Sequence, residues 1–136
     1  METKITWDGK MKFKGVTPSN FTIIMDSIPE HGGDNEGPTP MELILVALGG
    51  CTGMDVISIL NKMKEKIESF EINISAERAQ EHPKIYTKIH IEYVFKGEDL
   101  KEENIKKAID LSQNKYCSVS AMLRGKAEIT YSYKIL

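Results

Sequence analysis

The chain opens with period-two alternation. Lys4-Ile5-Thr6-Trp7 and Lys10-Met11-Lys12-Phe13-Lys14 each put every second side chain on one face, which predicts two strands. Asp8-Gly9 between them predicts a two-residue hairpin turn. A turn at Thr17-Pro18-Ser19-Asn20 leads to a third strand, Phe21 to Met25. Residues 29–38 follow, polar and rich in breakers, with the composition of either a mobile or a binding loop.

At Thr39 the pattern changes. Thr39 is a good N-cap, Pro40 suits the first helical position, and Glu42 completes a Thr-x-x-Glu capping box. Leu43 to Leu48 is apolar on all sides, which predicts a helix buried on every side. Gly49 and Gly50 lower helix stability but allow another backbone, or a substrate, to come close. Met54, Ile57, Leu60 and Ile67 continue the helical spacing. Strands return at 70–75 and 86–95, an amphipathic helix at 102–111, and a last strand at 127–133. With no repeats and no linker, this order predicts a single α+β domain spanning residues 1–136.

Composition narrows the function. A net charge of -2, with lysines interleaved among acids, argues against nucleic acid as a partner. The first residues alternate like a strand rather than a signal peptide. The apolar run Leu43 to Leu48 is too short to span a membrane. These features make a reducing cytoplasm the expected location, where a permanent structural disulfide is unusual.

The thiols carry the candidate chemistry. Cys51 and Cys117 are the only cysteines, and the bland reading is two buried, inert side chains. Ala47, Leu48 and Asp55 share the helical face of Cys51, an apolar wall with one anion that disfavours a thiolate. A helix N-terminus restarting at Thr52, or a cation from elsewhere, would have to compensate. Cys117 is placed to N-cap residues 118–123, with Lys115 and Arg124 near in sequence. There is no C-x-x-C. A zinc site would need His31, His82 or His90 to join the cysteines, and none has ligand-like spacing. Redox chemistry suits the pattern better than metal binding.

Thr39-Pro40-Met41-Glu42-Leu43 running to Leu48-Gly49-Gly50-Cys51, together with Tyr116-Cys117-Ser118-Val119-Ser120 and Leu123, resembles the OsmC/Ohr family of peroxide-detoxifying proteins. The resemblance covers essentially the whole chain. Gly-Gly-Cys-Thr-Gly-Met-Asp-Val is more similar to the OsmC-like branch than to the Ohr enzymes proper. It implies an OsmC-like domain with an antiparallel sheet and buried central helices, working as an intertwined homodimer. It also implies a thiol peroxidase acting on hydroperoxides. Cys51 would be the peroxidatic thiolate, Cys117 the resolving thiol, and an external dithiol, lipoyl-linked in the Ohr enzymes, the reductant. No cofactor is implied. Ohr enzymes place a glutamate directly after the proline and pair it with an arginine from the N-terminal strands. Here Met41 follows Pro40, and the only arginines are Arg78 and Arg124.

Two other readings share these residues. A non-enzymatic member of the fold would bind an apolar small molecule in the dimer cleft, with Met54, Met63 and Met122 lining it. A purely structural reading leaves both thiols inert. Redox pairing requires the two cysteines to approach, with Cα atoms within about 7 Å or able to reach that distance.

Overall fold

A computed structural model describes residues 1–136. By internal contacts it forms two compact units, Met1–Val46 and Ala47–Leu136.

The first unit holds the three expected strands, β1 (Lys4–Trp7), β2 (Phe13–Val16) and β3 (Thr22–Met25), as an antiparallel sheet in chain order. The β1–β2 hairpin forms, but with a longer loop than Asp8-Gly9 predicts. Trp7 pairs with Phe13, and the Asp8 amide donates to the Lys12 carbonyl at 2.8 Å. Lys10 adopts a positive φ of 47°, and the Trp7 indole N–H donates to its carbonyl at 2.8 Å. These bonds occupy Lys10 to Lys12 in the turn, so β2 starts only at Phe13.

The polar stretch after β3 is built around Asp26. This buried carboxylate accepts from the backbone N–H groups of Ser27, Asp34 and Glu36 at 2.7, 3.3 and 3.1 Å. Salt bridges from Lys10 to Asp34 and Lys12 to Glu36 tie the same stretch to the β1–β2 loop and β2 approach.

Helix α1 (Pro40–Lys62) is continuous for 23 residues. Its start is the capping box read from the sequence: the Thr39 hydroxyl donates to the Glu42 carboxylate at 2.8 Å, and the Glu42 amide donates to the Thr39 oxygen at 3.4 Å. The helix runs through Gly49 and Gly50 without a break, so no helix N-terminus restarts at Thr52. By length and composition alone it could cross a membrane. Here one stripe of it, Leu48, Thr52, Val56 and Leu60, is buried within a packed unit. The expectation of burial on every side does not hold for the single chain, in which Val46 is 68% and Met54 74% exposed. One sheet can cover only one face of a helix that is apolar all round.

In the second unit, β4 (Lys66–Arg78) and β5 (Tyr86–Glu98) pair antiparallel, and β6 (Glu128–Ile135) joins β5 in parallel. The sheet is therefore mixed rather than antiparallel throughout. The reason lies in the connection: α2 (Glu102–Leu111), a π-helical turn (Ser112–Tyr116) and α3 (Ser118–Leu123) lie between β5 and β6, a crossover long enough for parallel pairing. Ile89, Ile91, Tyr93 and Phe95 alternate inward along β5 and form the core with Leu48, Val56 and Leu60 of α1 and Ile105, Ala108 and Ile109 of α2. Two glycines seat α1 on β4. A Cβ at Gly49 would lie 3.2 Å from Ile74 Cδ1, and one at Gly53 3.1 Å from Ile72 Cδ1, whereas Gly50 faces open space. The close approach is thus made by Gly49 and Gly53, one turn apart.

Candidate active site

The fold brings the two thiols together. Cys51 lies midway along α1 and Cys117 at the N-cap of α3, yet their sulfurs and a carboxylate oxygen of Asp55 all lie within 4.8 Å of one another. Asp55 reaches the pair because it stands one turn after Cys51 on the same face. Cys117 is buried, while Cys51 and Asp55 are half-buried. No histidine takes part; the third polar group is a carboxylate.

Behind the thiols runs a polar network. The Ser112 hydroxyl donates to Asp55 Oδ2 at 2.9 Å. Since that uses its single proton, the 2.7 Å contact with Thr52 Oγ1 must be a bond that Thr52 donates. Thr52 in turn accepts from the Tyr93 hydroxyl at 2.7 Å. The Gln113 amide N–H₂ donates to the Tyr93 and Thr52 oxygens at 2.9 and 3.2 Å, and its Oε1 accepts from the Ser120 hydroxyl at 3.0 Å. Finally, the Ser120 backbone N–H donates to Cys117 Sγ at 3.4 Å, so the path runs from Asp55 to Cys117 through the protein interior. No side-chain polar atom in the interior is left without a partner. Burial, opposed by these bonds, raises the Tyr93 phenol above its ordinary value and keeps it a donor.

Cys117 does sit at a helix N-cap, as its sequence position predicts, but the thiolate is not the favoured form there. Burial raises its pKa; the Ser120 side chain and the Ser120 backbone N–H, which donates to the sulfur, pull the other way, and the neighbouring Cys51 raises it again. The cations expected to help are engaged elsewhere. The Lys115 ammonium lies 5.2 Å from the centre of the Tyr116 ring, and the Arg124 guanidinium donates to the Gln113 carbonyl. Glu42 is equally committed: its carboxylate accepts from the Thr39 hydroxyl and amide, which lower its pKa.

Beside the thiols, along α1, a cavity of about 530 Å³ is lined by Met54, Asp55, Ile59, Met63, Leu111 and Tyr116, among others. Met54 and Met63 thus line one cavity, together with the polar Asp55, Ser58 and Lys62, while Met122 is exposed and lies outside it.

Sequence reasoning found Cys51, Cys117 and the position of Asp55. It missed Thr52, Tyr93, Ser112, Gln113 and Ser120. The available signal was weak: Ser112-Gln113 directly follows an amphipathic helix and looks like an exposed turn, whereas the π-helical turn rotates both inward.

The family model described as OsmC-like protein matches residues 33–132. The chain is 38% identical over 136 residues to Protein YhfA of Escherichia coli (strain K12), covering all of this chain and 98% of that protein. A hypothetical protein from Aquifex aeolicus VF5 superposes with a TM-score of 0.87 at 32% identity, covering 99% of this chain and 95% of the other. An organic hydroperoxide resistance protein OsmC from Legionella pneumophila shares the fold, with a TM-score of 0.70 at 14% identity over 98% of this chain and 95% of its own.

Proposed function

The chain belongs to the OsmC-like protein family, and from that premise we propose that it is a thiol-dependent hydroperoxide reductase in oxidative stress defence. The observation that carries the reading is the juxtaposition of Cys51 and Cys117 from distant segments, the first half-buried and the second buried. The name of the Legionella relative points to the same substrate class.

The roles are those that the family resemblance implies. Cys51, as thiolate, attacks the outer oxygen of a hydroperoxide; the O–O bond breaks, the departing alkoxide takes a proton, and Cys51 becomes a sulfenic acid. Cys117 then attacks the Cys51 sulfur. The S–S bond forms and the hydroxyl leaves as water with the Cys117 proton. Burial shields Cys117 from peroxide; its thiol must give up its proton as it attacks, and that proton leaves with the hydroxyl as water. An external dithiol returns both sulfurs to thiols by exchange. The Met54, Ile59, Met63 and Leu111 side of the cavity beside Asp55 would receive the organic part of the substrate. A homodimer is part of the same reading, with a second copy covering the exposed apolar residues of α1.

Single-turnover consumption of cumene hydroperoxide tests the roles. Cys51→Ser is expected to abolish it. Cys117→Ser is expected to permit one turnover and leave Cys51 as a sulfenic acid that excess peroxide over-oxidises. Unchanged consumption in both variants would defeat the enzyme reading and favour binding of an apolar molecule without chemistry.

A further inference from the structure

We propose that Cys51, Cys117 and Asp55 also bind a single thiophilic divalent cation, zinc, in the reduced protein, through two thiolates and one carboxylate oxygen. This goes beyond the peroxidase reading and does not depend on it.

Three observations support the site. The first is distance. Zinc holds thiolates at about 2.3 Å and carboxylate oxygens at about 2.0–2.2 Å, so its tetrahedral ligand atoms lie roughly 3.5–4 Å apart. The three donor atoms here are already within 4.8 Å of one another, within about 1 Å of that spacing. The second is the outer shell. Asp55 is oriented by the Ser112 hydroxyl and Cys117 by the Ser120 N–H, and such supports fix ligands in metal sites. The third is charge. Three groups that are anionic as ligands face one another, while the nearby cations Lys115 and Arg124 are turned to Tyr116 and Gln113. A divalent ion held by all three would offset that negative charge directly.

The donor set selects the metal. Two thiolates with one carboxylate favour zinc or cadmium over magnesium or calcium, which prefer oxygen alone. Binding releases both thiol protons, and a fourth position stays open for water on the accessible side. A bound ion occupies the lone pairs that Cys51 would use as a nucleophile. The metal therefore blocks the thiol, and a disulfide between the two sulfurs removes two of its three ligands.

The test uses the full-length reduced chain, stripped with a chelator and titrated anaerobically with zinc against a chromophoric competitor. Cadmium is followed in parallel by thiolate-to-metal charge-transfer absorption. One ion per chain is expected, with roughly hundredfold or greater weakening in Cys51→Ser and in Cys117→Ser and about tenfold in Asp55→Asn. In the wild-type chain, where folding is not in question, zinc should slow iodoacetamide alkylation of Cys51 at least about tenfold. Absence of stoichiometric binding at micromolar zinc would overturn the proposal, as would unprotected Cys51 or a cysteine variant that binds like wild type. Wild-type affinity in Asp55→Asn would remove the carboxylate from the site and overturn the three-ligand assignment.

Discussion

Ser112 donates its hydroxyl proton to Asp55 at 2.9 Å, and this bond joins the turn before Cys117 to the helix that carries Cys51. Its direction orders the rest of the network, from Tyr93 to Thr52 to Ser112 to Asp55. The same bonds hold the interior together and aim the carboxylate at the thiols.

Removing the middle of that chain should therefore be costly. Thr52 is fully buried, and Thr52→Val keeps its shape while deleting the oxygen that accepts from Tyr93 and Gln113 and donates to Ser112. We expect a loss of about 1–3 kcal/mol, the range for leaving buried polar partners unsatisfied. Urea unfolding should show a lower midpoint with an unchanged slope. A midpoint equal to wild type would mean the network contributes nothing to stability.

The glycines of α1 separate by what they face. Within the single chain Gly50 meets nothing within 4 Å, so in a background kept monomeric by Met54→Glu the change Gly50→Ala should gain about 0.5–1 kcal/mol of helix propensity. Gly53 already sets Ile72 Cδ1 at 3.1 Å from any Cβ, and Gly53→Val should lose about 1–3 kcal/mol by overpacking against β4. Thermal unfolding of the pair checks the contrast, and the same sign for both would refute it.

These contrasts mark how far the sequence could be read. The capping box at Thr39 and Glu42, the N-cap at Cys117 and the inward alternation of β5 were legible because each depends on near neighbours in the chain. The parallel placement of β6 was not, since pairing partners are chosen by the crossover and by burial rather than by local pattern. Ser112 and Gln113 were hidden for a similar reason. Their polarity suits a solvent-exposed turn equally well, and only their partners on α1 and β5 reveal them as interior groups. Whether α1 continues past Gly49 and Gly50 was open from the sequence, and the close packing of Gly49 and Gly53 on β4 accompanies its continuation.

Asp26 gives the polar loop a pH dependence. Its pKa is lowered from the ordinary 3.8, most strongly by the Ser27 N–H, against the opposing effect of burial, with Glu36, Asp34 and Lys12 adding to the lowering. For a depressed carboxylate, the stabilising contribution is complete above the unfolded value and is lost as pH falls through the lower folded value. Asp26→Asn should therefore be less stable than wild type at pH 7, and the difference should shrink below about pH 4. Denaturant unfolding at pH 7, 5 and 3 measures it. A gap that stays constant over that range would assign the role of Asp26 to shape rather than charge.

Assembly is the remaining test of the α1 surface. Val46 and Met54 are largely exposed on a helix whose opposite stripe is already buried, and water contact with both is unfavourable. A second copy would remove that area from solvent, and a permanent homodimer of this kind typically buries more than about 2,000 Å². The protein should sediment at twice its 15.3 kDa chain mass at micromolar concentration. Met54→Glu would place a charge in the covered region and should weaken association by about 2 kcal/mol, roughly thirtyfold, with far-UV circular dichroism retained. A wild-type monomer at that concentration would contradict the assembly. A dimer as tight in Met54→Glu as in wild type would place the interface on another face of the chain.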